Sequence, residues 1–313
     1  MEMYGSAHVD GVITLIAPAQ SGALDDALLD RVCLIADLPG DTRRWLSPGE
    51  ACELPISGDD KDRARIVVSL SNALTGRPID IALTSATNRR KRLLVADMES
   101  TVIGQECLDE LADFAGLGTR IAAITERAMR GELDFAAALT ERVGLLSGLE
   151  ESVLREVLEQ RITLTAGAET LVATMRAHGA HTALVSGGFT YFATPIADRL
   201  GFDSHQANVL EIDGKRLTGR LGAPILGRAA KLATMQRMCT ELGLGPADTL
   251  AVGDGANDLD MIKAAGIGVA FHAKPLVARE AGVRIDHSGL EALLFLQGYT
   301  RDEFATRDRP AEE

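Results

Sequence analysis

The chain has 313 residues, 46 % apolar and 25 % charged, proportions that exclude disorder, collagen and coiled coil for most of its length. At roughly 150 residues per domain they predict two domains, or one with a large insertion. Lys and Arg number 32 against 45 Asp and Glu, a net charge of −13, which excludes a nucleic-acid binder that works by neutralising phosphates; an enzyme of this charge that handles phosphate must place its positive groups locally.

No run approaches the roughly 18 to 20 apolar residues of a membrane span, and Met1-Glu2-Met3-Tyr4 lacks the basic-then-apolar start of a signal peptide, so no membrane partner and a cytoplasmic location are expected. Cys33, Cys52, Cys107 and Cys239 are scattered without a C-x-x-C pair, which predicts reduced, buried thiols in place of zinc or disulfides.

In chain order, residues 11–17 read as a strand, 24–36 as a helix with Leu24, Leu28, Leu29, Val32 and Leu34 on or near one face, 59–74 as a second helix and 79–83 as a closing strand. Together residues 1–88 form a small α+β domain. The basic run Asn88-Arg89-Arg90-Lys91-Arg92 reads as a solvated linker, with docking between units second and a nucleic-acid patch third. Leu93-Leu94-Val95-Ala96 begins a new unit as a buried strand, and residues 105–160 are helical by period, with breaks near Gly116-Leu117-Gly118, Gly131 and Ser147-Gly148. Further buried strands, 182–185, 250–252 and 267–270, alternate with helices, the pattern of a parallel sheet covered on both faces. Asp213-Gly214 centres a hairpin over 209–217. The expected architecture is thus α/β, a Rossmann-like parallel sheet over 89–103 and 165–300 with a helical cap over 104–164 and a frayed tail over 301–313.

Three strand ends finish in polar clusters. Asp97-Met98-Glu99-Ser100-Thr101 sets two acids past a buried strand. Ser186-Gly187-Gly188 offers a hydroxyl and unhindered N–H groups suited to an anion. Gly253-Asp254-Gly255-Ala256-Asn257-Asp258 is a glycine-spaced acidic loop suited to a hard cation. Lys231 sits on a helix over 226–242. Singly, each has an ordinary alternative: a turn with a helix cap, a simple turn, a solvated lysine. In this order, with a helical insertion after the first, they resemble the motifs of the haloacid dehalogenase superfamily. Glu106, nine residues after Asp97, then Ala128-Met129-Arg130-Gly131-Glu132-Leu133-Asp134-Phe135 and Arg142-Val143-Gly144 resemble the cap of its phosphoserine phosphatases, a likeness covering residues 93–294. The N-terminal unit resembles, more loosely, the ACT-like domains that precede some bacterial members.

The resemblance implies Mg2+-dependent hydrolysis of O-phosphoserine, the last step of serine biosynthesis, through an aspartyl phosphate on Asp97. Glu99 serves as acid and then base. Mg2+ is expected on Asp97, the backbone carbonyl of Glu99 and Asp254, with Asp258 supporting its water shell or orienting Lys231. Ser186, Gly187, Lys231 and Asn257 are expected to bind phosphate oxygens. Glu106 can pair with an ammonium and Arg142 with a carboxylate, although two solvated charges or a mutual salt bridge are the plain alternatives. Met129 and Phe135 supply an apolar wall or else pack within the bundle. The chain departs from the pattern at Glu99, where most members carry Asp; the side chain is longer by one bond, about 1.5 Å, and a folded-back rotamer is expected. Alternatives are another small phosphomonoester, transfer to an alcohol, or an amino-acid-sensing regulator; a homodimer through the N-terminal unit is plausible.

Overall fold

The computed structural model describes residues 9–129 and 132–305. The N-terminal unit runs β1 (Gly11–Ile16), α1 (Asp26–Ala36), β2 (Arg44–Ser47), β3 (Ala51–Ile56), α2 (Asp60–Ala73) and β4 (Asp80–Ser85). Its antiparallel sheet has the order β2-β3-β1-β4. Each helix starts on an aspartate that accepts a backbone N–H three residues on: Asp25 from Leu28 and Asp59 from Asp62. Leu28, Leu29, Val32 and Leu70 pack with Ile13, Leu15 and Leu54 of the sheet. Leu34 departs from the expected face: it is 81 % exposed, and Cys33 and Ala36 are buried in its stead.

Two expectations about the ends of the second unit are corrected. The basic run is not a solvated linker. The Arg89 side chain is 3 % exposed and pairs at 2.5 Å with the fully buried Glu53 of β3, while donating to the Leu296 carbonyl. Lys91 donates to the carbonyls of Asn88 and Ala247, and the Arg90 guanidinium lies 4.2 Å from the Tyr299 ring centroid. Arg89 thus docks the N-terminal sheet against the core, and pairing with Glu53 is what makes burial of its charge tolerable. Likewise the start of the tail is packed: Arg301 pairs with Glu291 and Glu50, and Ala305 is buried with its N–H on Thr174 Oγ1. Residues 306–313 lie outside the described residues.

The second sheet is wholly parallel. After β5 (Leu93–Ala96) the chain leaves through α3 (Cys107–Phe114), α4 (Gly118–Met129), α5 (Phe135–Gly144) and α6 (Glu151–Gln160), the helical insertion. It returns by α7 (Ala168–Ala177) to β6 (His181–Phe189), α8 (Thr190–Leu200) and β7 (Ser204–Asn208). The hairpin β8 (Leu210–Asp213) and β9 (Arg216–Leu221) follows, its Leu217 carbonyl taking the Gly148 N–H so that it braces the α5–α6 turn. The chain then crosses through α9 (Arg228–Leu242) to β10 (Thr249–Gly253), α10 (Leu259–Ala264), β11 (Ile267–Phe271), α11 (Pro275–Glu280), β12 (Val283–Ile285) and α12 (Ala292–Phe295).

Strand order is β12-β11-β10-β5-β6-β7. The chain builds outward from β5 on one side, then returns to add β10 on the other. The carboxyl ends of β5, β6 and β10 thus flank the point where the order reverses, which is where ligands bind in sheets of this kind.

Candidate active site

Asp97 follows β5 directly and caps a single wide turn, Met98–Val102, that wraps back over the strand end. Ser100 sits there at φ 52, and Ile103 N–H closes the turn on the Met98 carbonyl. Asp97 is 4 % exposed; its Oδ1 accepts the Met98 N–H at 2.7 Å and its Oδ2 pairs with Lys231 Nζ at 2.7 Å. Lys231 reaches in from α9, buried, and also donates to Asp258 Oδ1 at 2.5 Å. Asp258 in turn accepts the Gly255 N–H. A Cβ at position 253 would stand 2.3 Å from Asp258 Cγ, so the glycine before Asp254 is what lets that carboxylate lie under the loop.

Carboxylate oxygens of Asp97, Asp254 and Asp258 all lie within 4.8 Å of one another, and all three residues are buried. Burial and then Asp258 push the Asp97 carboxyl well above its usual range, with Lys231 opposing. Burial raises Asp254 to about 6, with Lys274 opposing. At Lys231 burial works against the charge, and the Asp97 and Asp258 carboxylates outweigh it, so the ammonium is held more firmly than usual. An all-oxygen, desolvated, mutually repelling set of this kind is the donor chemistry of a hard divalent cation, and the residues fit one.

Ser186 Oγ, on β6, accepts the Gly188 N–H at 2.9 Å. The Gly187 carbonyl accepts from Asn208 Nδ2 at 2.8 Å, which fixes the peptide unit that follows the Gly187 N–H. Asn257 lines the cleft from the β10 loop.

Glu99 is held at the start of the cap: its Oε1 accepts the Cys107 N–H, the first of α3, at 2.8 Å. A Cβ on Gly188 would lie 2.7 Å from Glu99 Oε2; the longer acid occupies space that only glycine leaves open. Burial and then Glu106 raise its carboxyl to about 7.

The cap closes the opposite wall of a cleft of about 420 Å³. Glu106 precedes α3 and accepts the Ser100 hydroxyl at 2.8 Å. Arg142, on α5, donates from Nε to the Ala138 carbonyl at 3.4 Å and is left out of every ion pair among the described residues; the mutual salt bridge with Glu106 does not form. Phe135 projects from the start of α5 across the cleft, with ring atoms 3.3 Å and 3.2 Å from where a Cβ on Gly187 or Gly227 would stand. It therefore bridges cap and core in place of packing inside the bundle. Met129 ends α4, and its side chain lies outside the described residues. Asp109 and Lys274 also line the wall; Lys274 carried no signal in sequence, being one charged residue in an ordinary loop context.

A family model described as haloacid dehalogenase-like hydrolase matches residues 94–263. The chain belongs to this family. A phosphoserine phosphatase of Streptomyces coelicolor is 40 % identical over 266 residues, 85 % of this chain and 65 % of that protein, so the chain spans about two-thirds of that relative's length. A phosphoserine phosphatase of Albidiferax ferrireducens is 45 % identical over 210 residues, 66 % of this chain and 89 % of the relative. A HAD family hydrolase from Salmonella enterica subsp. enterica serovar Typhi superposes with a TM-score of 0.80 at 30 % identity, covering 91 % of this chain and 98 % of that one. That coverage takes in the N-terminal unit of this hydrolase as well as its core and cap.

Proposed function

We propose that the chain is a phosphoserine phosphatase, a phosphoric monoester hydrolase that converts O-phospho-L-serine to L-serine and phosphate with Mg2+. The observation that carries the reading is the opposition of two charge sets across one cleft: buried Asp97, Asp254, Asp258 and Lys231 on the core, and Glu106 with Arg142, left out of the ion pairs among the described residues, on the cap. The first set suits a phosphoryl group. The second suits an amino-acid head group, ammonium on Glu106 and carboxylate bidentate on Arg142.

In this reading the Asp97 carboxylate attacks phosphorus in line, and the seryl oxygen leaves with a proton from Glu99. Glu99 then takes a proton from the water that hydrolyses the aspartyl phosphate, so one residue serves both halves of the reaction. Ser186 Oγ, the Gly187 N–H, Asn257 and Lys231 hold the non-bridging oxygens, and Lys231 also holds the Asp97 oxygen that it already contacts at 2.7 Å. Asp97, Asp254 and the Glu99 carbonyl would hold Mg2+, with Asp258 keeping Lys231 aligned; the ion supplies positive charge that offsets the repulsion between carboxylate and phosphate. Phe135 screens the phosphate end of the cleft from water. A cytoplasmic location belongs to the same reading, since all four cysteines are buried free thiols, the state that a reducing compartment maintains. No helix among the described residues is long and apolar enough to cross a membrane.

The test is phosphate release from O-phospho-L-serine beside p-nitrophenyl phosphate. Preference for phosphoserine that is lost with chelator, absent in Asp97→Asn and selectively weakened in Arg142→Ala through KM supports the reading. Equal loss on both substrates in Arg142→Ala keeps a phosphatase and removes the amino-acid assignment.

A further inference from the structure

The acidic cluster has two lysine partners, and they divide it. Lys231 takes Asp97 and Asp258. Asp254 is taken by Lys274, whose Nζ lies 3.2 Å from its Oδ2. The two lysines are built differently. Lys231 is buried on a long helix, whereas the Lys274 side chain is 58 % exposed and stands over the cleft.

The backbone beneath Lys274 is pinned. Its N–H donates to the Asp254 carbonyl at 3.1 Å. Two residues earlier, His272 turns the chain at φ 43, with its N–H on the Ile285 carbonyl and its Nε2 3.0 Å from the Ser288 carbonyl. The ammonium is thus delivered to Asp254 by a fixed stem and held there by one half-exposed ion pair, an interaction weak enough to exchange.

An ammonium and a divalent cation cannot share one carboxylate oxygen at contact distance without repelling each other. We propose that Lys274 is a displaceable counter-ion of Asp254: it neutralises this carboxylate in the metal-free enzyme and yields it to the divalent ion, swinging into the cleft toward the incoming phosphate. The proposal rests on the reading of Asp254 as a metal ligand. It explains why the loop after β11 carries a positive group onto a carboxylate that a cation is to occupy. It also predicts that the lysine lowers metal affinity in the absence of substrate, the reverse of what an accessory ligand or a mere loop anchor would do.

The experiment is Mn2+ binding to the full chain without substrate, read by the electron paramagnetic resonance of free Mn2+. Variants are Lys274→Met, Lys274→Arg, Asp254→Asn and, as a charge control, Lys263→Met, whose lysine pairs with Glu280 and does not line the cleft. Removing a half-exposed pair partner predicts Mn2+ binding tighter on the order of fivefold in Lys274→Met, little change in Lys274→Arg and in Lys263→Met, and loss in Asp254→Asn. Unchanged or weaker binding in Lys274→Met, or an equal gain in Lys263→Met, overturns the proposal while leaving the metal site standing. Wild-type protein that binds no Mn2+, or binds it regardless of Asp254, overturns the proposal and the metal reading together.

Discussion

Gly188→Ala isolates the consequence of carrying Glu at position 99. The new Cβ would stand 2.7 Å from Glu99 Oε2, 2.8 Å from Cδ and 2.9 Å from Oε1. Ordinary contact begins near 3.4 Å, so the carboxylate must retreat by about 0.7 Å. Displacements of about 1 Å at a proton-transfer position cost on the order of 100-fold in rate, which puts the loss in kcat/KM for phosphoserine at about 10- to 100-fold, or roughly 1.4 to 2.7 kcal/mol. In a Glu99→Asp background the carboxylate is withdrawn by one bond, about 1.5 Å, and the clash is absent. The same Gly188→Ala change should then cost less than about threefold beyond Glu99→Asp alone, a coupling that a double-mutant cycle reads directly. The assay is steady-state phosphate release at saturating Mg2+ for the four proteins. Equal factors in both backgrounds would refute the packing argument, because the loss would then come from the Ser186-Gly187-Gly188 turn and not from Glu99.

The Glu99 carboxyl, raised to about 7 by burial and by Glu106, is protonated below that pH and so competent as an acid there. Single-turnover release of serine should be level below about pH 7 and fall above it, and the limb should vanish in Glu99→Gln; a limb of the same midpoint in that variant would assign it to another group. At the domain junction, Arg89→Met leaves the Glu53 carboxylate, 0 % exposed, without its 2.5 Å partner, and breaking a buried pair costs about 3 to 5 kcal/mol. Urea unfolding should show a loss toward the lower end of that range, since Arg44 still lies 3.4 Å from Glu53, largely recovered in Glu53→Leu/Arg89→Met; a loss under about 1 kcal/mol would show that Arg44 alone suffices to hold the charge.

Four strands of the catalytic sheet, β5, β6, β10 and β11, were legible as short, largely apolar runs, whereas the edge strands β7 and β12 were not, because polar or charged residues interrupt them. Leu93-Leu94-Val95-Ala96 before Asp97 needs no partner to declare itself a buried strand. β2 and β3 were not legible for the opposite reason. Glu53 and Pro55 interrupt the apolar alternation of β3, and Glu53 is buried against Arg44 of the neighbouring strand and Arg89, 36 residues further on. The bond to Arg89 hides the meaning of the basic run, whose charges look solvated until their partners are in place. Phe135 and Lys274 were ambiguous or silent for a like reason: what each touches lies on elements distant in sequence.

The charge of the whole chain and the charge of the cleft pull in different directions, and that contrast orders the site. A protein of net charge −13 repels a phosphorylated substrate at long range, and salt screens that repulsion beyond about 8 to 10 Å. Attraction must then act within contact distance, from Arg142 on the cap, Lys231 under Asp97 and Lys274 at the mouth. Of these, among the described residues, Lys231 is committed to two carboxylates, Lys274 to one, and Arg142 to none. In the proposed reading, a substrate arriving by its carboxylate meets first a guanidinium left out of the ion pairs among the described residues, and its phosphate reaches positive charge only as the acidic cluster is neutralised. On that reading, selection for an amino-acid head group before phosphoryl transfer follows from the order of availability.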